Sequence, residues 1–287
     1  MTIKWIFTDM DGTLLNSQGR LTPSNATAIC KANIPITLVS ARAPMEMAEA
    51  VNILGLTGPQ VAFNGGLIYQ IKDGVIQPLH TDIIKKETAQ TLLAKVRQHF
   101  SHISLSYYDL NHWYCDKIDK GIRFEYELTK QAPTLINDQA TFLQAQDNTF
   151  KIMMICFEEE SMRELEKYLQ SLALPDISIQ RSGKFYLEIT SKNAKKSKGI
   201  SYIFKKERLD KFDTAAFGDG HNDIPMLEMV GYPIVMGNAF DDLKRLAYKI
   251  TKSNDQDGVG YGIHKFLKGL DNGKHSTNRQ TKRLFSF

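Results

Sequence analysis

Apolar strand-like segments alternate with helical segments over the first 66 residues of this 287-residue chain. The strand-like segments are IKWIFT, IPITLVS and PQVAFN, and Thr22 and Pro23 provide an N-cap and a first helical residue for the helix that follows the first of them. This spacing predicts an α/β fold with a doubly wound parallel sheet. Because ligands bind at the carboxyl ends of such strands, Asp9, Ser40 and Asn64 are candidate site residues.

Two aspartates, Asp9 and Asp11, end the first strand within the segment WIFTDMDGTLL. If the strand continues through the pair, both side chains point to the same side, because side chains alternate along a strand. Two like charges in one small volume are costly unless a cation or a shared proton neutralises them. The pair therefore predicts a metal ion, a proton or a reaction that uses both carboxylates.

The pattern changes after Tyr69 and resumes near residue 190. A hairpin is predicted to turn at Asp73 and Gly74, and residues 83–189 then combine helical and strand-like segments in a way typical of an α+β unit with an antiparallel sheet. DTAAFGDGHND and GYPIVMGNA restore the parallel pattern. We therefore predict a discontinuous core of residues 1–82 and 190–269, an inserted α+β domain of residues 83–189 and a basic tail of residues 270–287.

The net charge of +4 comes from the C-terminal end of the chain. Six Lys and Arg residues and only one Asp follow residue 264, so the rest of the chain is slightly acidic. This distribution argues against a general nucleic-acid-binding surface, and no apolar run approaches the ~20 residues that span a bilayer. Three separated cysteines, Cys30, Cys115 and Cys156, favour reduced thiols, and with no secretory signal visible they predict a cytoplasmic protein.

Four motifs in sequence order resemble those of the haloacid dehalogenase-like hydrolases. They are DxDGTLL at residues 9–15, a hydroxyl at Ser40 followed by Arg42, the pair Lys198 and Gly199, and GDGxND at residues 218–223. The inserted domain, with NGG at 64–66, YLEIT at 186–190 and DGVGYGIHKFL at 257–267, resembles the Cof-type subfamily IIB. The resemblance covers about residues 3–268 and implies a Rossmann-like core, an inserted α+β cap and phosphatase activity.

The acidic residues of these motifs have distinct expected roles. Asp9 is the expected nucleophile, since attack of a carboxylate on phosphorus gives an aspartyl-phosphate. Asp11 would give a proton to the leaving alkoxide and later take one from water. Mg²⁺ prefers oxygen ligands, which we expect from Asp9, the main-chain carbonyl of Asp11 and Asp219, with Asp223 as an auxiliary or alternate ligand.

The resemblance also implies a phosphate-binding group of fixed donors, because the transferred phosphoryl group keeps its negative charge. Its expected members are the amides of Met10 and Ala41 and the side chains of Ser40, Lys198 and Asn222. Ala41 stands where the family often has glycine, although a backbone amide survives that change. The segment before Lys198 is longer than the common pattern, so Lys195 or Lys196 competes with Lys198 for the role.

Substrate contacts are expected from four further residues, Arg42, Asn64, His221 and Arg123. Two other interpretations stay open, since Arg42 also fits an ion pair with an acid and Asn64 a turn. We predict a Mg²⁺-dependent phosphatase that hydrolyses a small phosphorylated metabolite, either a sugar phosphate or a phosphorylated cofactor, as a monomer or homodimer without a nucleic-acid or membrane partner. The alternatives are a phosphosugar mutase of the same fold and a non-catalytic module that binds anions through the basic tail.

Overall fold

A computed structural model describes residues 2–268 of the chain. The basic tail predicted at residues 270–287 lies outside the described residues. Within residues 2–268, no helix combines the length and the apolar character that crossing a membrane requires.

The strands form three sheets within the described residues. In chain order they are β1 (Trp5–Thr8), β2 (Ile36–Leu38), β3 (Gln60–Ala62), β4 (Leu67–Lys72), β5 (Val75–Thr81), β6 (Ser104–Tyr108), β7 (Trp113–Cys115), β8 (Thr134–Leu135), β9 (Lys151–Ile155), β10 (Ile177–Ser182), β11 (Tyr186–Ser191), β12 (Thr214–Gly218), β13 (Tyr232–Val235) and β14 (Lys249–Ile250). The predicted hairpin at Asp73 and Gly74 is the antiparallel pair β4 and β5.

Helices connect most of these strands. In chain order they are α1 (Pro23–Ala32), α2 (Pro44–Ile53), α3 (Lys86–His99), α4 (Lys120–Thr129), α5 (Gln139–Leu143), α6 (Glu159–Ser171), α7 (Lys196–Glu207), α8 (Ile224–Leu227), α9 (Asp241–Lys244) and α10 (Gly258–Gly262). The Thr22 hydroxyl accepts a hydrogen bond from the amide of Asn25 and Pro23 begins α1, so the predicted helix start is confirmed.

The central sheet is parallel and has the strand order β14-β13-β12-β1-β2. Both of its faces are covered by apolar side chains. Ile6 of β1 belongs to one buried cluster with Ile29 of α1, and Phe7 belongs to another with Ile200 of α7. Helices on both faces of a parallel sheet confirm the predicted doubly wound α/β fold.

The third predicted parallel strand, β3, borders the central sheet and also pairs with the strand that follows it. β3 meets the central sheet through one parallel bridge, between Val39 and Val61, and pairs along its length with the antiparallel strand β4. The cause is the turn after β3, where Phe63 and Asn64 have φ angles of 51° and 56°. Backbone in this left-handed region reverses the chain, so β3 leads directly into the predicted β4–β5 hairpin.

The inserted segment forms a six-stranded sheet, named here the cap sheet, with the order β10-β11-β9-β6-β7-β8. Its strand pairs are antiparallel except β7 with β8. Leu92 of α3 and Leu165 of α6 pack with Ile152 of β9 in one buried cluster, which confirms the predicted α+β insertion. β11 continues to Ser191, past residue 189, and the predicted domain boundaries stay a prediction.

Aromatic side chains join the cap sheet to the core. Phe63, at the turn after β3, stacks on Phe150 with ring centroids 4.9 Å apart. The Tyr108 hydroxyl of β6 lies 3.4 Å from Oε1 of Glu46 in α2. The cap sheet thereby forms one wall of a cleft whose other wall is built from the loops that follow β1, β2 and β12.

Candidate active site

This cleft has a volume of about 480 Å³ and lies between the central sheet and the cap sheet. Of the residues predicted from the sequence, those that line it are Asp9, Asp11, Ala41, Arg42, Asp219 and Asn222. Three other predicted residues, Met10, Ser40 and Asp223, are buried in the same loops. The parallel strands therefore bring most of the predicted residues to one place, as their positions at strand ends require.

Asp9 follows β1 and is buried, with 6% of its surface exposed. Lys196, the first residue of α7, donates hydrogen bonds to Oδ1 of Asp9 and, at 2.7 Å, to Oδ1 of Asp223. Burial raises the pKa of Asp9 well above its usual value, and Asp223 raises it further while Lys196 opposes the rise. The lysine is thus the positive charge that holds two buried carboxylates together.

The placement of Lys198 corrects the prediction. Nζ of Lys198 lies 2.6 Å from Oδ2 of Asp82, and 40% of its side chain is exposed. α7 begins at Lys196. Residues two apart on a helix point in nearly opposite directions, because each residue turns the helix by about 100°. Only one of the two lysines can face Asp9, and the structure gives that place to Lys196.

Three carboxylates, those of Asp9, Asp219 and Asp223, each offer an oxygen within 4.8 Å of the others. Such a set of oxygen donors fits the ligand preference of Mg²⁺. Burial raises the pKa of Asp219 to about 6, although the hydrogen bond from Oγ1 of Thr13, at 2.6 Å, opposes the rise. Asp223 accepts the amides of Asp219 and Gly220, each at 3.0 Å, and so fixes the loop after β12.

Asp11 and Arg42 form a bidentate ion pair at the open side of the cleft. Nε and Nη2 of Arg42 lie 2.8 Å and 2.6 Å from the two carboxyl oxygens of Asp11. The planar guanidinium fixes the orientation of the carboxylate that it pairs with. Arg42 therefore pairs with an acid in this structure, and a contact between Arg42 and substrate stays a prediction.

The loop after β2 carries the predicted hydroxyl group. Oγ of Ser40 accepts the amide of Arg42 at 3.1 Å, and the amide of Asn64 donates to the carbonyl of Ser40 at 2.8 Å. Asn64 serves the turn, and its Oδ1 is buried without a hydrogen-bond partner among residues 2–268. Phosphate or substrate contacts by Met10, Ser40, Ala41, Asn64 and Asn222 stay predictions.

Two predicted substrate contacts lie away from the cleft. Nε2 of His221 is 2.8 Å from Oδ2 of Asp242, and its ring packs on Phe240. Arg123 is an exposed residue of α4. Neither His221 nor Arg123 lines the cleft.

Sequence reasoning missed the charged residues of the cap side. Glu46, Glu125, Lys151 and Glu188 all line the cleft. Lys151 and Glu188 stand inside the apolar strands FKIMMICF and YLEIT, and they form an ion pair of 3.5 Å with side chains at most 10% exposed. A charged residue inside an apolar strand needs a partner when it is buried, so these two residues could have been predicted from the sequence to form a buried ion pair. No comparable signal marks the two helical residues Glu46 and Glu125.

Comparison with known proteins establishes the class. The family profile of haloacid dehalogenase-like hydrolases matches residues 6–263, and the chain belongs to this family. A solved sugar phosphatase of subclass IIB has the same fold, with a TM-score of 0.74 at 20% identity over 92% of this chain and 98% of that one. The predicted family is confirmed, and the fold that the chain shares with the subclass IIB enzyme includes the predicted α+β cap.

Relatives of similar length are phosphatases by name. The 5-amino-6-(5-phospho-D-ribitylamino)uracil phosphatase of Bacillus subtilis is 26% identical over 294 residues, which cover 93% of this chain and 99% of the relative. A phosphoglycolate phosphatase of Methanobrevibacter smithii is 26% identical over 272 residues, which cover 93% of this chain and 100% of the relative. The predicted enzyme class, a hydrolase of phosphate esters, is confirmed.

Gly12, between Asp11 and Thr13, sets the shape of the catalytic loop. Its φ is +75°, and a β-carbon there would overlap the carboxyl group of Asp219. We expect Gly12→Ala to lower kcat about 100-fold, because small displacements of catalytic groups have effects of that size. Left-handed strain should also lower the free energy of unfolding by about 1–2 kcal/mol. Phosphate-release kinetics and thermal unfolding measure the two effects.

Gly74 offers a matched control for Gly12. It has the same φ of +75°, and nothing lies within 4 Å of the place where its β-carbon would be. Gly74→Ala is therefore expected to lose stability without losing kcat. Equal values of kcat for the two variants would contradict the proposed crowding at Asp219.

Proposed function

We propose that this phosphatase hydrolyses a small phosphorylated metabolite in a Mg²⁺-dependent reaction that passes through an aspartyl-phosphate at Asp9. The observation that carries the proposal is the buried group of Lys196, Asp9 and Asp223 on the core side of an open cleft. Asp9 and Asp219 line the cleft and burial raises the pKa of both, which is the combination that supports a catalytic site. Sugar phosphates and phosphorylated cofactors are the proposed substrate classes.

The chemistry follows from the positions of four side chains. Asp9 attacks the phosphorus atom, the bond to the leaving oxygen breaks, and the aspartyl-phosphate forms. Asp11 leaves Arg42, takes a proton from solvent and gives it to the leaving oxygen, and the carboxylate that results then takes a proton from the water that releases phosphate. Lys196 offsets the negative charge that gathers beside Asp9 as the phosphoryl group arrives.

Metal removal tests the proposed cofactor. Mg²⁺, held by Asp9, Asp219 and the main-chain carbonyl of Asp11 with Asp223 as an auxiliary ligand, would neutralise charge on the phosphoryl oxygens. We expect EDTA to lower phosphate release more than about 100-fold and added Mg²⁺ to restore it, since such neutralisation lowers the barrier by several kcal/mol. Ca²⁺ should restore little, because it prefers a larger and less regular oxygen shell. An unchanged rate in EDTA would contradict the metal assignment.

Phosphate release from a panel of phosphomonoesters separates the proposed function from its alternatives. A phosphosugar mutase would need a bisphosphate activator and release no free phosphate. A non-catalytic anion-binding module would release none under any condition while remaining folded. Free phosphate from a sugar phosphate or a phosphorylated cofactor, with Mg²⁺ and no activator, supports the phosphatase.

The proposed setting is the cytoplasm, in keeping with the free thiols of Cys30, Cys115 and Cys156. The proposed partner is the small phosphorylated substrate alone, without nucleic acid or membrane. The choice between monomer and homodimer stays a prediction that size-exclusion chromatography with light scattering can decide.

A further inference from the structure

Carboxylates outnumber cations on the cap side of the cleft. Glu46 of α2, Glu125 of α4 and Glu188 of β11 line it, whereas the cap contributes Lys151 of β9 as a cation. The guanidinium of Arg42 is already engaged by a carboxylate through two hydrogen bonds. This part of the cleft therefore has an excess of negative charge and of hydrogen-bond acceptors.

Two of these carboxylates have other partners within the protein. Oε2 of Glu46 accepts the amide of Ala43 at 2.6 Å, and its Oε1 lies 3.4 Å from the Tyr108 hydroxyl. Oε1 of Glu188 lies 3.5 Å from Nζ of Lys151. Lys151 pairs with Glu188, and its charge also lowers the pKa of Glu125, but burial and the charge of Glu46 outweigh that effect.

Glu125 forms no ion pair among residues 2–268, and one of its carboxyl oxygens accepts no hydrogen bond there. Its Oε2 accepts a hydrogen bond from the Tyr186 hydroxyl at 2.7 Å, and its Oε1 accepts none from residues 2–268. The residue is only 5% exposed, and burial, followed by the charge of Glu46, raises its pKa to about 7. A buried carboxyl group with one unused oxygen, close to other carboxylates, is stabilised by any cation that reaches it.

We infer that the cap side of the cleft selects a phosphomonoester whose alcohol carries a protonated amine, and that Glu125 contacts the ammonium group and determines this preference. The inference rests on the proposed phosphatase function. An ammonium group donates a charge-assisted hydrogen bond to Glu125, a hydroxyl group donates a weaker one, and a carboxylate is repelled. Glu46 and Glu188 add to the attraction for a cation.

Substrates that differ in one group test the charge preference of the wild type at about pH 8, where Glu125 is ionised. 2-Aminoethyl phosphate, 2-hydroxyethyl phosphate and phosphoglycolate share a two-carbon skeleton and end in an ammonium, a hydroxyl and a carboxylate group. Glucosamine 6-phosphate, whose amine is only partly protonated at this pH, and glucose 6-phosphate repeat the first contrast on a sugar with a smaller expected ratio. We expect kcat/KM to be about tenfold higher for the ammonium member than for the hydroxyl member, and lowest for the carboxylate.

The outcomes separate this inference from the function on which it rests. An ammonium preference in an accepted series supports the inference. Equal or reversed values of kcat/KM in every accepted series overturn it while leaving the phosphatase intact. Failure to release phosphate from any phosphomonoester overturns the proposed function instead.

The variant Glu125→Gln tests the residue itself, because it keeps the shape of the side chain and removes its charge. We expect the tenfold ratio between ammonium and hydroxyl substrates to fall to about one. A ratio that stays at the wild-type value in the folded variant would overturn the role of Glu125. If Glu125→Gln does not fold, Glu125→Asp is used instead, because it withdraws the charge from the cleft by one methylene group. An unchanged ratio between ammonium and hydroxyl substrates in Glu125→Asp would also overturn the role of Glu125.

Glu127→Gln is the matched control on the same helix. The Glu127 side chain is 69% exposed, pairs with Lys130 and does not line the cleft. This variant is expected to keep the wild-type substrate ratio and the wild-type kcat. A ratio that falls equally in both variants would show that the general charge of α4, and not Glu125, sets the preference, and would overturn the inference.

Discussion

Replacing Asp9 with asparagine is expected to lower phosphate release about 10⁴-fold or more, since removal of the nucleophile from a covalent mechanism has effects of that order. The amide cannot attack phosphorus, and one oxygen ligand for Mg²⁺ loses its charge. The variant should stay folded, because Lys196 keeps its hydrogen bond to Asp223. Steady-state phosphate release measures the loss, and acid quenching tests for the phosphorylated protein that the wild type alone should form.

Asp242→Asn provides the control for Asp9→Asn. Asp242 is an exposed acid that pairs with His221 outside the cleft. The same chemical change there is expected to leave kcat within about twofold of the wild type, as surface substitutions usually do. Release by Asp9→Asn at more than a few per cent of the wild-type rate would contradict the assignment of Asp9 as the nucleophile.

The pair of variants Lys196→Met and Lys198→Met is expected to give very different results. Lys196→Met should lower kcat by about 10²–10³-fold, the usual effect of removing a fixed donor from a developing negative charge. Lys198→Met should lower kcat less than about threefold, because Lys198 pairs with Asp82 and lies at the surface. Steady-state kinetics of both variants make the comparison. A large loss in Lys198→Met with little loss in Lys196→Met would restore the assignment made from the sequence.

Lys196→Met should also be less stable than the wild type. Without the lysine, Asp9 and Asp223 are adjacent buried carboxylates, and breaking a buried ion pair in this way costs about 3–5 kcal/mol. Mg²⁺ should restore part of the loss by binding the same carboxylates. Urea unfolding with and without Mg²⁺ measures the difference, and equal stability of variant and wild type in the absence of metal would contradict it.

Local signals in the sequence predicted most of the elements of the fold. The start of α1 depends on Thr22 and Pro23, and the β4–β5 hairpin on Asp73 and Gly74, whose φ angles are 52° and 75°. β3 was predicted as a parallel strand, and its parallel bridge to the loop after β2 agrees with that prediction. Its antiparallel pairing with β4 was not predicted, because the reversal depends on Phe63 and Asn64 in a left-handed conformation. Propensity therefore located the elements, while the second partner of β3 depended on the turn that follows it.

The acids of the site were predictable and the lysine was not. Asp9, Asp219 and Asp223 end or follow parallel strands, so topology alone brings them together. The choice between Lys196 and Lys198 depends on where α7 begins, and helix ends are the least certain part of a sequence interpretation. Gly199, which suggested Lys198, instead permits close packing, since a β-carbon there would lie 2.7 Å from both methyl groups of Val61.

The ion pair between Asp82 and Lys198 has a consequence for the order of folding. It joins the segment that enters the cap to the helix that follows the cap, so the insertion begins and ends at one point of the core. β1 and β12 are neighbours although about 200 residues separate them, and a cap that folds first removes about half of that separation. The loop-closure entropy saved is ~0.6 kcal/mol, because the cost of closing a loop grows only slowly with its length. A cap that folds first would therefore speed the pairing of β1 with β12 about threefold, which is the rate change that this free energy corresponds to.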